Sequence, residues 1–328
     1  MECIERNNTH TVFFILPDDS KEFNCPYILA VPHDYEENTP IILESNNQEE
    51  TMRIVSSAKE QTLDFLFATL VNSKNNNPIL IPLLPSMQQR IPYYQQLSIE
   101  CFDESEKSKF YKIDEQVVSM IDDAKRIVTG LTGKTVNSKV FLNGYSSSGV
   151  FAQRFALLHP ELVSHACIGG AIGSMPLPID EYSGCALGYP LGTADYEKLT
   201  GRKFDLEAYK SIKFTYYVAE GENVRKSETR FDEDGKPAPM CDMSYFDRSM
   251  PAQAGKTLRG LFGHDSFERF GKQLMVAESL GLNITYHEPI PNVDHHNING
   301  ANIPYIASCI TECNKEATTK TIGGKKWK

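Results

Sequence analysis

Val140-Phe141-Leu142-Asn143-Gly144-Tyr145-Ser146-Ser147-Ser148-Gly149-Val150-Phe151 carries an apolar run into a turn of small residues and out at once into a second apolar run. A buried strand, a sharp turn and a helix in that order are the layout of a nucleophile elbow, whose usual motif is G-x-S-x-G. The central serine of such an elbow sits in a strained backbone conformation, so the residues two before and two after it must be small. Gly144 meets the first demand. Ser148 stands where glycine is commonest, with Gly149 after it, and reads as a tolerated small variant. Ser146 is therefore the candidate nucleophile. The Ser147 N–H, in the first turn of the helix, is a candidate oxyanion donor aided by the positive helix end. The competing reading is an ordinary turn or an anion-binding nest. A phosphate-gripping loop is disfavoured, because no G-K-[ST] or G-x-G-x-x-G follows a strand.

Outward from the elbow, strands and helices alternate. Before it, residues 11–16 and 27–31 read as strands joined by Pro17-Asp18-Asp19-Ser20, and 41–43 as a third. Val55, Ala58, Thr62, Leu66 and Leu70 predict an amphipathic helix over about 50–71. Residues 79–84 form a buried strand that Pro82 ends or bulges. Ile113, Val117, Ile121, Ala124, Val128 and Leu131 predict a helix stopped by Gly130 and Gly133. After the elbow come a helix to His159, a strand at 165–168, and an irregular stretch over 174–211. A strand at 213–219, a second irregular stretch at 224–262, a helix at 265–281 and a strand at 283–290 follow. Ile303, Ile306, Ile310 and Cys313 mark a last helix, and from Asn314 the chain is expected to fray. Such alternation specifies an α/β fold, a mainly parallel twisted sheet with helices on both faces and antiparallel strands at its start. It predicts one domain over 1–316, with cap-like insertions at 174–211 and 224–262 and a polar tail at 317–328.

A serine hydroxyl needs a histidine to take its proton and an acid to orient that histidine. On elbows of this kind the order is Ser, acid, His, each just past a strand. The turn after 213–219 holds Glu220-Gly221-Glu222, so Glu222 is the candidate acid and Glu220 its rival. The loop after 283–290, Pro291-Asn292-Val293-Asp294-His295-His296-Asn297, offers His295 as the base, with His296 as its rival. Asp294 with the two histidines also suggests a metal site, but side chains adjacent on an extended loop point apart and lack a third ligand. A second oxyanion donor is expected from the loop after 79–81, where Pro82 and Pro85 have no N–H. Leu84 is chosen there, with Ser86 beside it.

Composition narrows the function. Of 328 residues, 41% are hydrophobic, enough for a core, and 33 basic against 43 acidic residues give a net charge of −10. An acidic chain is a poor partner for nucleic acid or for an anionic membrane surface. No run of 18 apolar residues exists to span a bilayer. The eight cysteines contain no C-x-x-C pair, and Cys309 and Cys313, four apart, read as helix packing. With no export signal at the start, a cytoplasmic protein with reduced thiols is expected.

Gly144-Tyr145-Ser146-Ser147-Ser148-Gly149, Phe151, Arg154-Phe155 and Leu158-His159-Pro160-Glu161 resemble the elbow region of a group of bacterial α/β-hydrolases. Tyr189-Pro190-Leu191-Gly192, Asp195, Leu199, and Gly201 through Phe204-Asp205 look like that group's insertion. These enzymes are similar at the elbow to polyhydroxyalkanoate depolymerases and feruloyl-esterase-like proteins. The resemblance covers about 41–311. It implies an α/β-hydrolase fold and a serine hydrolase with Ser146 as nucleophile, Glu222 as acid and His295 as base. The expected substrate is a small-molecule carboxylic ester or other acyl compound, with no cofactor and no metal. The competing functions are an amidase or peptidase with the same triad, a binding protein that keeps the fold without turnover, and metal-assisted hydrolysis at 294–296. Tyr182, Tyr189, Tyr196, Phe231, Tyr245 and Phe246 are expected to line a pocket or to form a local core.

Overall fold

The computed structural model describes residues 1–6, 8–46, 75–85, 94–103, 110–222, 230–231, 237–238, 250–295, 298 and 300–323. The helix expected over 50–71, Ser86, His296, Tyr245 and Phe246 lie outside them, as does the Phe231 side chain. Nine strands form the main sheet: β1 (Glu2–Arg6), β2 (His10–Ile15), β3 (Tyr27–Pro32), β4 (Ile42–Leu43), β5 (Ile79–Pro82), β6 (Val140–Tyr145), β7 (Val163–Gly169), β8 (Lys213–Tyr217) and β9 (Asn283–Tyr286). Their spatial order is β1-β2-β3-β5-β4-β6-β7-β8-β9. The first three run antiparallel to their neighbours, and β5, β4, β6, β7, β8 and β9 are parallel. Pro82 does end its strand. It pairs with Tyr27 of β3, while the β4 ladder stops at Leu80, so no neighbour on that side requires its missing N–H.

The longer helices are α1 (Ile113–Thr132), α2 (Ser147–Leu158), α3 (Ala252–Phe262), α4 (Ser266–Ser279) and α5 (Ile303–Gly323). Alternation along β6 explains why both sheet faces are covered. Val140 and Leu142 pack into one core with Val117 and Ile121 of α1, Phe151 and Phe155 of α2, and Phe270 of α4. Phe141 faces the other core with Ile306, Cys309, Ile310 and Cys313 of α5, which places the two cysteines in packing as expected. Each of the seven described cysteines is free.

Three elements differ from the sequence expectation. Helix α5 does not fray at Asn314 but runs to Gly323, because Ala317 is buried, its carbonyl accepts from Asn38 Nδ2 at 3.1 Å, and Lys213 pairs with Glu312 and Glu316. The end of the second irregular stretch is α3, which buries Leu258 and Phe262. The first holds two one-turn helices, Tyr196–Thr200 and Leu206–Lys210, and a short hairpin of Glu181–Tyr182 with Cys185–Ala186. Its aromatics are local core: the Tyr189 hydroxyl donates to the Leu97 carbonyl, the Tyr196 hydroxyl to the Leu158 carbonyl at 2.8 Å, and Tyr182 stacks on Phe262. Among the described residues, no helix is long and apolar enough to cross a membrane.

Candidate active site

Ser146 lies between β6 and α2 with φ 59° and ψ −118°, a conformation that a non-glycine residue holds only under constraint. The constraint comes from both sides. Its N–H donates to the Gly169 carbonyl of β7 at 2.9 Å, and its carbonyl accepts from the Val150 N–H at 3.0 Å. A Cβ on Gly144 would lie 2.2 Å from the Ser148 carbonyl oxygen, so glycine is required there. Past the serine, the close approach falls on Gly149, whose Cβ would meet Ala171 at 2.8 Å and the Gly169 carbonyl at 2.9 Å. Position 148 has room for a side chain and uses it: Ser148 Oγ accepts the Tyr145 N–H at 2.8 Å. The hydroxyl is a working part of the turn as well as a small group.

The structure brings Ser146, His295 and Glu222 together. Ser146 Oγ is 2.8 Å from His295 Nε2, and His295 Nδ1 is 2.5 Å from Glu222 Oε1. Each follows a parallel strand at its carboxyl end, where open α/β sheets place their sites. The Glu222 side chain is 6% exposed and that of His295 16%, so the acid is shielded while the imidazole keeps an opening. Glu222 Oε2 is buried and has no hydrogen-bond partner among the described residues. Glu220 is exposed and does not reach His295. Its Oε2 accepts the Asn292 N–H at 3.0 Å, and its own N–H donates to the Ile290 carbonyl. With the Gly221 N–H on the Val293 carbonyl, these bonds stitch the acid turn to the histidine loop.

Tyr145 steadies that loop. Its hydroxyl donates to the His295 carbonyl at 2.9 Å, and the two rings lie 5.1 Å apart. Gly170, at φ +56°, leaves room for both, since a Cβ there would meet the Tyr145 ring at 2.8 Å and His295 Cε1 at 3.1 Å. Both His295 ring nitrogens face Ser146 and Glu222, which leaves neither to ligate a metal. Among the described residues, two His/acid sets are close enough to share an ion, Asp114–Glu115–His159 and His165–Glu312–Glu316. Basic side chains already occupy both: Arg202 reaches Glu115 and His159, and Lys213 reaches Glu312 and Glu316.

Ser147 opens α2, and its hydroxyl accepts from Gln95 Nε2 and Gln96 Nε2, each at 2.9 Å. Leu84 is not in a position to serve as an oxyanion donor. Its N–H already donates to Asn46 Oδ1 at 2.8 Å, and the residue is fully buried. The reason is strand order: the neighbour of β6 is β4, not β5, so the loop flanking the elbow is 44–46. The reading of the sequence also missed Glu44, which sits in that loop and touches Asn143 and Ser148. A carboxylate directly after the apolar run at 41–43 was the available signal.

The strand order, with antiparallel strands leading into a parallel run and β4 returning between β5 and β6, is the α/β-hydrolase fold. Poly(aspartic acid) hydrolase-1 from Sphingomonas sp. KT-1 superposes with a TM-score of 0.53 at 16% identity, over 93% of this chain and 99% of that one. LpqC, a poly(3-hydroxybutyrate) depolymerase from Bordetella parapertussis, gives 0.48 at 13% identity over 94% of this chain and 89% of its own. An S-formylglutathione hydrolase from Agrobacterium tumefaciens gives 0.45 at 10% identity over 94% and 100%. At 16% identity the likeness to the first of these is one of fold. No protein-family model matches the chain, and no curated protein matches it.

Proposed function

We propose that this chain is a cofactor-independent serine hydrolase that cleaves carboxylic esters through an acyl-enzyme on Ser146. The observation that carries the reading is the contact chain from Ser146 Oγ through His295 to Glu222, at 2.8 and 2.5 Å. Ser146 Oγ attacks the ester carbonyl carbon while His295 Nε2 takes its proton. Glu222 accepts the hydrogen bond from Nδ1–H and stabilises the imidazolium that forms. The carbonyl oxygen gathers negative charge beside the Ser147 N–H at the positive end of α2. Collapse of the tetrahedral intermediate expels the alcohol, protonated by His295. A water molecule then gives its proton to His295 and attacks the acyl carbon, releasing the acid and restoring Ser146. Residues 1–316 act as one domain, and the insertions at 174–211 and 224–262 select the substrate.

The test is a fluorophosphonate probe with p-nitrophenyl esters. Wild type is expected to be labelled at Ser146 and to turn over. Ser146→Ala is expected to be unlabelled and to lose turnover by about 10⁴-fold or more. Equal labelling or equal turnover in the two proteins sinks the proposal, and a wild type silent in both assays points to a binding protein. A chelator is expected to leave turnover unchanged, which separates this reading from metal-assisted hydrolysis. Ester and amide substrates of one acyl group, run side by side, separate an esterase from an amidase.

A further inference from the structure

Glu44 is the first residue past β4, and the register that sets Leu43 opposite Leu142 places it beside Asn143 of β6. It is 1% exposed. Its Oε2 accepts from Asn143 Nδ2 at 2.6 Å, and its Oε1 lies 3.5 Å from Ser148 Oγ. Ser148 Oγ accepts the Tyr145 N–H at 2.8 Å and lies 3.0 Å from the Tyr145 carbonyl oxygen. Tyr145 touches both ends of the proposed machinery. Its peptide bond leads into Ser146, and its hydroxyl holds the His295 carbonyl. A serine hydroxyl has one proton to give. Ser148 can donate it to the Tyr145 carbonyl at 3.0 Å or to Glu44 at 3.5 Å, and a carboxylate attracts it more strongly than a carboxylic acid does.

We infer that Glu44 is a positioning residue for the elbow: acting through Ser148, it sets the peptide on which Ser146 stands. The inference rests on the reading of Ser146 as the nucleophile. It accounts for a serine where glycine is commonest in the motif, and for a buried carboxyl that no basic side chain among the described residues stabilises. Burial pushes Glu44 up to about 7, against the hydrogen bonds from Asn143 and Ser148 that lower it. Among the described residues two titratable groups interact with it, Cys167 of β7 and Tyr217 of β8. The neighbouring Cys309 thiol and burial hold Cys167 well above its ordinary value, and burial does the same to Tyr217, so both are neutral where Glu44 titrates. As Glu44 gains charge, the Ser148 proton shifts toward it and the Tyr145 peptide loses a donor.

The direct test is the backbone N–H resonance of Tyr145, followed by NMR through neutral pH in a His295→Gln background so that the imidazole does not contribute. It is expected to titrate with a midpoint of about 7 and to become flat when Glu44→Gln or Ser148→Gly is added. A resonance already flat in the His295→Gln protein overturns the inference, as does a titration that survives Glu44→Gln. This readout needs no turnover, so it stands apart from the nucleophile reading, which equal activity of Ser146→Ala and wild type would sink. With His295 intact, Glu44→Gln is expected to lower kcat by about tenfold at neutral pH with KM unchanged and to remove one of two ionisations from the pH profile. Ser148→Gly is expected to match it, and the double variant to lose no more than either single one. Additive losses contradict the relay.

Discussion

Two carboxylates two residues apart, Glu220 and Glu222, differ in what they touch. Glu222 meets His295 Nδ1, while Glu220 braces the Asn292 amide from an exposed position. Glu222→Gln puts an amide against the imidazole and favours the wrong tautomer, so kcat is expected to fall by about 10³–10⁴-fold. Glu220→Gln keeps an acceptor for Asn292 and is expected to turn over p-nitrophenyl esters near the wild-type rate. The sequence narrowed the acid to this turn. The choice within it needed the backbone bonds that lay the turn against the histidine loop. Glu44 carries a stability prediction at the same scale. Its carboxyl is raised from 4.5 to about 7 by burial, so the folded state favours the neutral form. The wild-type stability that depends on this is whole below pH 4.5 and is gone once pH has risen through about 7. Glu44→Gln, neutral throughout, is expected to be more stable than wild type at pH 8, by up to about 3 kcal/mol, and so to melt at a higher temperature. At pH 4 the two are expected to differ little, as thermal melts at both pH values will show.

At the scale of the element, the elbow depends on glycines whose reasons differ. Gly144 is demanded within its own turn, by the Ser148 carbonyl, and that demand was visible in the local sequence. Gly149 is demanded by β7 and the residues after it, which no local pattern reveals. Gly144→Ala and Gly149→Ala are each expected to destabilise the fold by about 1–3 kcal/mol or more, with loss of probe labelling at Ser146. Gly130, inside α1 with nothing within 4 Å of its Cβ position, is the control. Gly130→Ala is expected to stabilise by about 0.5–1 kcal/mol in chemical denaturation. Helix α5 shows the limit of local reading from the other side. Polar residues after Asn314 looked like a tail, yet the Glu316 pair with Lys213 and the Ala317 carbonyl bond to Asn38 hold the helix beyond it.

For the whole molecule, the decisive feature is that chain order and sheet order differ. β5 follows β4 in sequence but lies outside it in the sheet, so on that side it is β4, not β5, that borders the Ser146 strand β6. That is why the Leu84 N–H meets Asn46 Oδ1 and not the turn at Ser146. Leu84→Ala is expected to cost about 2–5 kcal/mol of stability as a core truncation. Its turnover per folded molecule is expected to stay near wild type, measured by ester kinetics on protein whose folded fraction is known from circular dichroism. A selective fall in kcat would return Leu84 to the site.

By itself the sequence determined the period of most of the described strands and helices, the small-residue turn at Ser146, and the order along the chain of that turn, the Glu220–Glu222 turn and the loop bearing His295. These are local properties, set by side-chain size, backbone freedom and hydrophobic spacing within a few residues. Tertiary structure alone decided which strand lies beside β6, which carboxylate reaches the imidazole, and why Ser148 and Glu44 meet. Those outcomes depend on groups about 100 residues apart being brought within a few ångströms. A hydrogen bond of that kind leaves no periodic trace in the chain, because its geometry exists only after the sheet has formed.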